Sequence, residues 1–185
     1  MTDQAGEPGD WPSAVTDFWF SLDPNQWWRA SAELDHEVRD RFQTLYHRLH
    51  QLPPKAFLTD AETALAAVIL FDQFPRNMFR GHADQYRTDT LALAVAKGAV
   101  ERGFDEALSA ERRGFLYMPF QHSEQFADQQ RSLMLFTALG DDHQLEFAKK
   151  HHSIIARFGR FPHRNAMLGR APRPGELAAG DVLPW

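Results

Sequence analysis

Apolar side chains recur at intervals of three and four along most of this chain, the spacing that stacks them on one side of an α-helix. From about Trp27 to Leu49, the residues Leu34, Val38, Phe42, Leu45, Tyr46 and Leu49 are separated by charged ones and predict an amphipathic helix. Leu52-Pro53-Pro54 ends it, because a residue before proline is pushed out of the helical region. Ahead of it, Trp11 to Phe20 reads as a first short helix with Ser13 as its cap, broken by Asp23-Pro24.

Further along, Thr59-Asp60-Ala61-Glu62 has the form of a capping box and opens a helix expected to run to Phe74, where Pro75 stops or kinks it. Within it Leu65, Ile69 and Asp72 share one face, so a carboxylate continues an apolar stripe and needs a buried partner. Asp89 to Val100 predicts an Ala-rich helix with Gly103 as its stop, and Ser109 to Tyr117 a short one ahead of Met118-Pro119. Ser123 is expected to cap a helix over Glu124 to Leu139, closed by Gly140. Asp141-Asp142 then starts a helix reaching Phe158, on which Phe147, His151, Ile154 and Phe158 point the same way.

Pro162 to Leu168 predicts another turn or two closed by Gly169, and Glu176 to Ala179 a marginal turn in a Pro/Gly-rich tail. No two-residue alternation persists and no hairpin turn signal appears. The fold class expected is therefore all-α, a single domain of seven or eight helices: a flexible lead-in over 1–10, a helical domain over 11–170 and a tail over 171–185. One internal echo stands out, since Phe74-Pro75-Arg76-Asn77 and Phe161-Pro162-His163-Arg164-Asn165 both set Phe-Pro, arginine and asparagine at a helix break.

Composition narrows the chemistry. The 185 residues suffice for one sizeable core, and the longest apolar run, Ala64 to Phe71, falls far short of the roughly 18 residues of a membrane helix. The absence of cysteine excludes disulfides, thiolate catalysis and Cys-ligated metal, leaving oxygen and imidazole chemistry. A formal net charge of -5 argues against nucleic acid as a partner. The polar, acidic N-terminus lacks the basic-then-apolar order of a secretory signal, so a cytoplasmic location is expected.

Against that acidic background, Arg157 to Asn165 packs three arginines, a histidine and two phenylalanines into nine residues, and no Asp or Glu appears as far as Arg170. Guanidinium forks suit phosphates and carboxylates, which makes Arg157, Arg160 and Arg164, with Arg76, Arg80 and His151, candidate ligand-binding residues. The competing role for these arginines is to pair with internal acids such as Asp72 and Glu124 and tie helix ends together. His122 and His163 are the candidate acid-base residues, with Asp72 or Glu124 to orient them. No two of His122, Glu124, His151 and His163 have the His-x-x-x-His spacing of one helical turn, so no metal is assigned, and the sequence leaves any cofactor unknown. Ser123 reads as a helix cap, because the flanking glycines of a nucleophile elbow are missing.

Phe18-Trp19-Phe20, the run Leu70 to Gly81, the run Phe115 to Glu124 and the segment His151 to Arg170 together resemble a bacterial family known only as domain of unknown function 924. The resemblance implies an all-helical, tetratricopeptide-like arrangement and no established activity. Where that family has Pro-Leu-Met-His-Ser-Glu, this chain has Pro119-Phe120-Gln121-His122-Ser123-Glu124, which keeps the polar members.

Three functions fit these residues. The first is binding of a small anionic molecule in an Arg/His-rich cleft. The second is an enzyme using the same cleft for acid-base chemistry, with or without a divalent metal. The third is a helical scaffold for a protein or peptide partner, which fold analogy alone supports.

Overall fold

The computed structural model describes residues 10–184; the lead-in expected over 1–10 lies outside them except for Asp10, as does Trp185. The described residues form helices joined by turns and short loops, with no strand among them, in agreement with the all-α expectation. They fall into two compact units, one ending at Ser109 and one beginning at Ala110.

In the first unit, α1 (Trp11–Ser21) packs on α3 (Ala61–Val68), and α3 on α5 (Asp89–Glu101). Here α2 (Ala32–Leu49) packs on α4 (Phe74–Met78). Every residue from Ala64 to Phe71 is fully buried, so this stretch is the centre of the core. Aromatic rings from three helices meet there: Phe42 lies 4.6 Å from Phe74 and 5.1 Å from Phe18, centre to centre.

The helix starts differ from the sequence expectations. Ser13 caps nothing; Asp10 holds the N-cap of α1, and Pro12, which has no N–H to be satisfied, fills its first turn. Trp27 belongs to a separate 3₁₀ turn, Pro24–Trp27, and α2 begins only after Ser31, whose hydroxyl accepts the Leu34 N–H at 3.2 Å. Asp60 rather than Thr59 caps α3, taking the Thr63 N–H at 2.8 Å.

Pro75 does not end its helix. A π-helical turn, Ile69–Gln73, joins α3 to α4, and the Phe74 N–H reaches back to Ile69 O. Proline offers no N–H to the carbonyl four residues earlier, that of Phe71, and Thr88 Oγ1 donates to it instead at 2.7 Å. The helix survives its proline because a hydroxyl from the start of α5 completes the bonding.

The second unit packs α6 (Ala110–His122), α7 (Phe126–Leu139) and α8 (Asp142–Phe158) against one another. Helix α6 also passes its proline, Pro119, to reach His122 rather than stopping at Tyr117; every residue from Gly114 to Gln121 is buried, and that packing offsets the lost bond. At Gly114 an added Cβ would stand 2.6 Å from Gln144 Nε2, so a side chain there would require the Gln144 amide to move. Ser123 is not the cap of α7; its Oγ accepts the Gln125 N–H at 3.1 Å and donates to Asp128 Oδ2 at 2.7 Å, which shapes the loop ahead of that helix. Gly159, at φ 69°, ends α8 in the left-handed conformation and turns the chain toward Phe161.

A 3₁₀ turn, Pro162–Arg164, follows, and the short helix α9 (Pro174–Ala179) gives the tail more structure than its composition predicts. Phe161 is fully buried against Ile154 and Ile155, with Phe158 and Val182 beside them. Among the described residues no helix is long and apolar enough to cross a membrane.

Candidate functional site

Guanidinium groups tied to carboxylates decide which candidate residues can meet a ligand. In the first unit, Arg76 donates to Asp89 through two nitrogens, at 3.0 and 3.1 Å, and stands 3.5 Å from the Asp72 carboxylate; it also bonds the Asp72 carbonyl. Burial works against the Arg76 charge, but Asp72 and Asp89 outweigh it and hold its pKa above the ordinary value. Asp72 is fully buried on the π turn, where it also accepts Gln73 Nε2 at 2.6 Å, so the stripe position read from sequence is the anchor it implied. Arg80 forks onto Asp35 at 2.6 and 2.8 Å, and Asn77 Nδ2 adds a third bond to Asp35 at 2.8 Å. Burial alone would raise the Asp35 carboxyl; the Arg80 and Asn77 donors reverse it and keep the group below the usual range.

The second Phe-Pro segment builds the same device. Arg160 forks onto Glu176 at 2.6 and 2.8 Å, and Asn165 Nδ2 reaches the same carboxylate at 2.9 Å. Arg160's hydrogen bonds, outweighing burial, and then the Arg173 N–H and Asn165 hold the Glu176 carboxyl down at about 2. The internal echo in the sequence therefore marks two separate asparagine-arginine grips, Asn77 and Arg80 on Asp35, Asn165 and Arg160 on Glu176. Glu124 is likewise committed, to Arg170 and to the Phe161 N–H, the latter at 2.7 Å. Arg157 is exposed, with its guanidinium 4.7 Å from the centre of the Phe158 ring.

Of the remaining candidates, His151, His163 and Arg164 surround Phe161, and His122 stands against His151. The His151 ring lies 5.5 Å and the His163 ring 5.6 Å from the phenyl centre, and His122 stands 6.0 Å from His151. Arg164 is buried, its guanidinium 4.6 Å from the Phe161 centre, and its Nη2 donates to the His122 carbonyl at 3.1 Å. Four elements supply the group: the end of α6, the third turn of α8, the link after Gly159 and the 3₁₀ turn. Nδ1 of His151 lies 2.7 Å from the Phe147 carbonyl. Burial, then the nearby His122, push His151 down to about 3 despite that bond, with Arg164 and His163 adding in the same direction. His151 is thus a neutral imidazole at physiological pH, set among groups that carry or can gain positive charge.

His163 also lines a concavity of about 420 Å³, together with Leu177, Val182 and Leu183 from the tail. Among the described residues no three His, Asp or Glu side chains stand close enough to hold a metal ion. Asp35, Asp89 and Glu176 were not singled out by the sequence reading. Asp35 did carry a signal, falling on the α2 stripe with Val38 and Phe42; Glu176, in a tail without periodicity, carried none.

The geometry thus defines an all-helical protein whose second unit gathers two imidazoles and a guanidinium about one phenyl ring, with a third imidazole beside one of them. The chain belongs to the family described as bacterial protein of unknown function (DUF924), whose model matches residues 15–179. It is similar to a protein of unknown function from Agrobacterium tumefaciens, 40% identical, over 94% of this chain and 98% of that one, with a TM-score of 0.87. No curated protein matches the chain.

Proposed function

We propose that this protein binds a small anionic molecule, bearing a phosphate or a carboxylate, at the imidazole cluster of its second unit. The observation that carries this reading is the convergence of His122, His163 and Arg164 about Phe161 and His151. Guanidinium and protonated imidazole are donor-only groups, and a site rich in them favours an acceptor-only ligand. Arg76, Arg80 and Arg160 each spend their fork on a carboxylate, and an anion would have to displace that partner. The concavity beside His163 gives such a molecule room for its body, within the size range of small-ligand sites.

Thermal melting in the presence of sulfate and of inorganic phosphate tests the reading, since a ligand of the native state stabilises it by RT ln(1 + [L]/Kd). The wild type melts higher as either anion is added, and His122→Asn with His163→Asn lose most of that rise at unchanged ionic strength. A rise that persists in full in both variants places the anion elsewhere.

A further inference from the structure

In the tail the usual order of burial is inverted, with a carboxylate inside and large apolar side chains outside. Glu176 is 4% exposed, whereas its neighbour Leu177 is 67% exposed and Leu183 47%. Other groups hold the tail in place. Glu176 accepts from Arg160, from Asn165 and from the Arg173 N–H, and Val182 packs against the core of Ile154, Ile155 and Phe161. Neither leucine is spent on docking the tail, and both line the concavity of about 420 Å³. Three polar residues of the same lining are committed within the protein. Asn165 gives its amide nitrogen to Glu176 and its amide oxygen to Arg170. Arg170 uses all three guanidinium nitrogens, on Asn165, on Glu124 and on the Phe161 carbonyl. Both Glu176 oxygens are taken, one of them by three donors.

We propose that this concavity binds a hydrocarbon group, a short alkyl chain or a ring, belonging to a small molecule. Pro162 and Pro172 stand with Leu177, Val182 and Leu183 in its lining, and the volume lies in the range of small-ligand sites. Covering the two leucines takes apolar surface out of water, a gain roughly proportional to the area removed. The wall they form is already fixed by Glu176 and Val182, so little ordering opposes binding. Charge points the same way. Arg170 is balanced by Glu124 and Glu176 by Arg160, and the exposed carboxylate of Asp181 disfavours an anionic end on this side. The assignment stands on the tail and the 162–172 segment alone and does not depend on the anion reading above. Together the two describe an acid or a phosphate ester with a hydrocarbon body.

A series of neutral alcohols, propanol, pentanol and heptanol, tests the assignment while the methyl NMR signals of Leu177, Val182 and Leu183 are followed. These signals are expected to move together along one saturable curve, with affinity rising by up to about fourfold for each added methylene. Ala166→Trp, at an exposed position of the lining, fills the hollow and abolishes the curve. Leu177→Gln, at a position that the core does not use, weakens heptanol binding by about threefold. Drifts that do not saturate, or an affinity indifferent to chain length, overturn the assignment. A heptanol curve that both variants leave unchanged overturns it equally, by placing the chain elsewhere. Failure of the alcohols with a saturable sulfate response intact removes only the hydrocarbon site, and the reverse result removes only the anion reading.

Discussion

Arg170 closes a fork on Glu124, its two terminal nitrogens 2.7 and 3.0 Å from the two carboxylate oxygens. The same carboxylate takes the Phe161 N–H at 2.7 Å, so one side chain at the α6–α7 junction fixes the link on which the imidazole cluster is centred. Burial opposes the Glu124 charge, but Arg170 and the Phe161 N–H overcome it and hold the carboxyl below its ordinary range. The pair positions Phe161.

Glu124→Gln is therefore expected to cost about 1–3 kcal/mol of stability, the usual penalty for leaving a charged donor poorly matched. Combined with Arg170→Ala it costs less than the two single losses added together. Urea unfolding of the three variants measures that coupling. Because the folded pKa of Glu124 is depressed, its contribution is full above the unfolded value near 4.5 and is lost as pH falls below it.

The titration of His151 leaves a second signature. Its folded pKa, about 3, lies below the unfolded value of 6.5, so between these limits the unfolded chain binds a proton that the native state refuses. Stability contributed by the neutral ring is complete above pH 6.5 and declines as pH drops below it, by at most roughly 1.4 kcal/mol per pH unit. Wild-type and His151→Leu proteins unfolded by urea from pH 8 to pH 5 should diverge in slope, with the variant flatter below pH 6.5. Parallel curves would show that His151 protonates as readily folded as unfolded.

Pro75 and Thr88 form a complementary pair in the first unit, the proline withholding a hydrogen bond from Phe71 O and the hydroxyl supplying one at 2.7 Å. Thr88→Val is expected to destabilise by about 1–3 kcal/mol, since it strands a buried carbonyl. Thr88→Ser restores most of the loss. In a Pro75→Ala background the same Thr88→Val change costs less, because the new N–H can serve Phe71 O; chemical denaturation of the four proteins measures the difference.

Asp35→Ala removes the shared acceptor of Asn77 and Arg80 and leaves the Asn77 amide buried without its partner. A loss of about 1–3 kcal/mol follows, most of it from that amide. The affinity for sulfate at the imidazole cluster should not change with it, which separates structural arginine pairs from the ligand site.

Much of this was legible in the sequence, for physical reasons that differ by element. The periodicity of Val38, Phe42 and Tyr46 and the inward placing of His151 follow directly from 3.6 residues per turn, and both are present in the fold. The capping of α8 by Asp141 was equally direct, since the carboxylate accepts the Gln144 N–H at 3.1 Å. The proline boundaries were misread at Pro75 and Pro119 because a local rule cannot see the hydroxyl or the packing that compensates the missing N–H. At the site, the residue types were visible in the run from Arg157 to Arg164, but their commitments were not. Whether an arginine meets a ligand or a carboxylate depends on Asp35, Asp89 and Glu176, which come from other helices and carry little pattern of their own.

The imidazole protons of His122, His151 and His163, followed by NMR as sulfate is added at constant pH and ionic strength, test the central claim most directly. Binding at the cluster predicts that His122 and His163 shift together along one saturable curve, and that His163→Asn weakens the curve seen at His122. Linear, unsaturable drifts of all three, or saturation that His163→Asn leaves untouched, would contradict an anion site at this cluster.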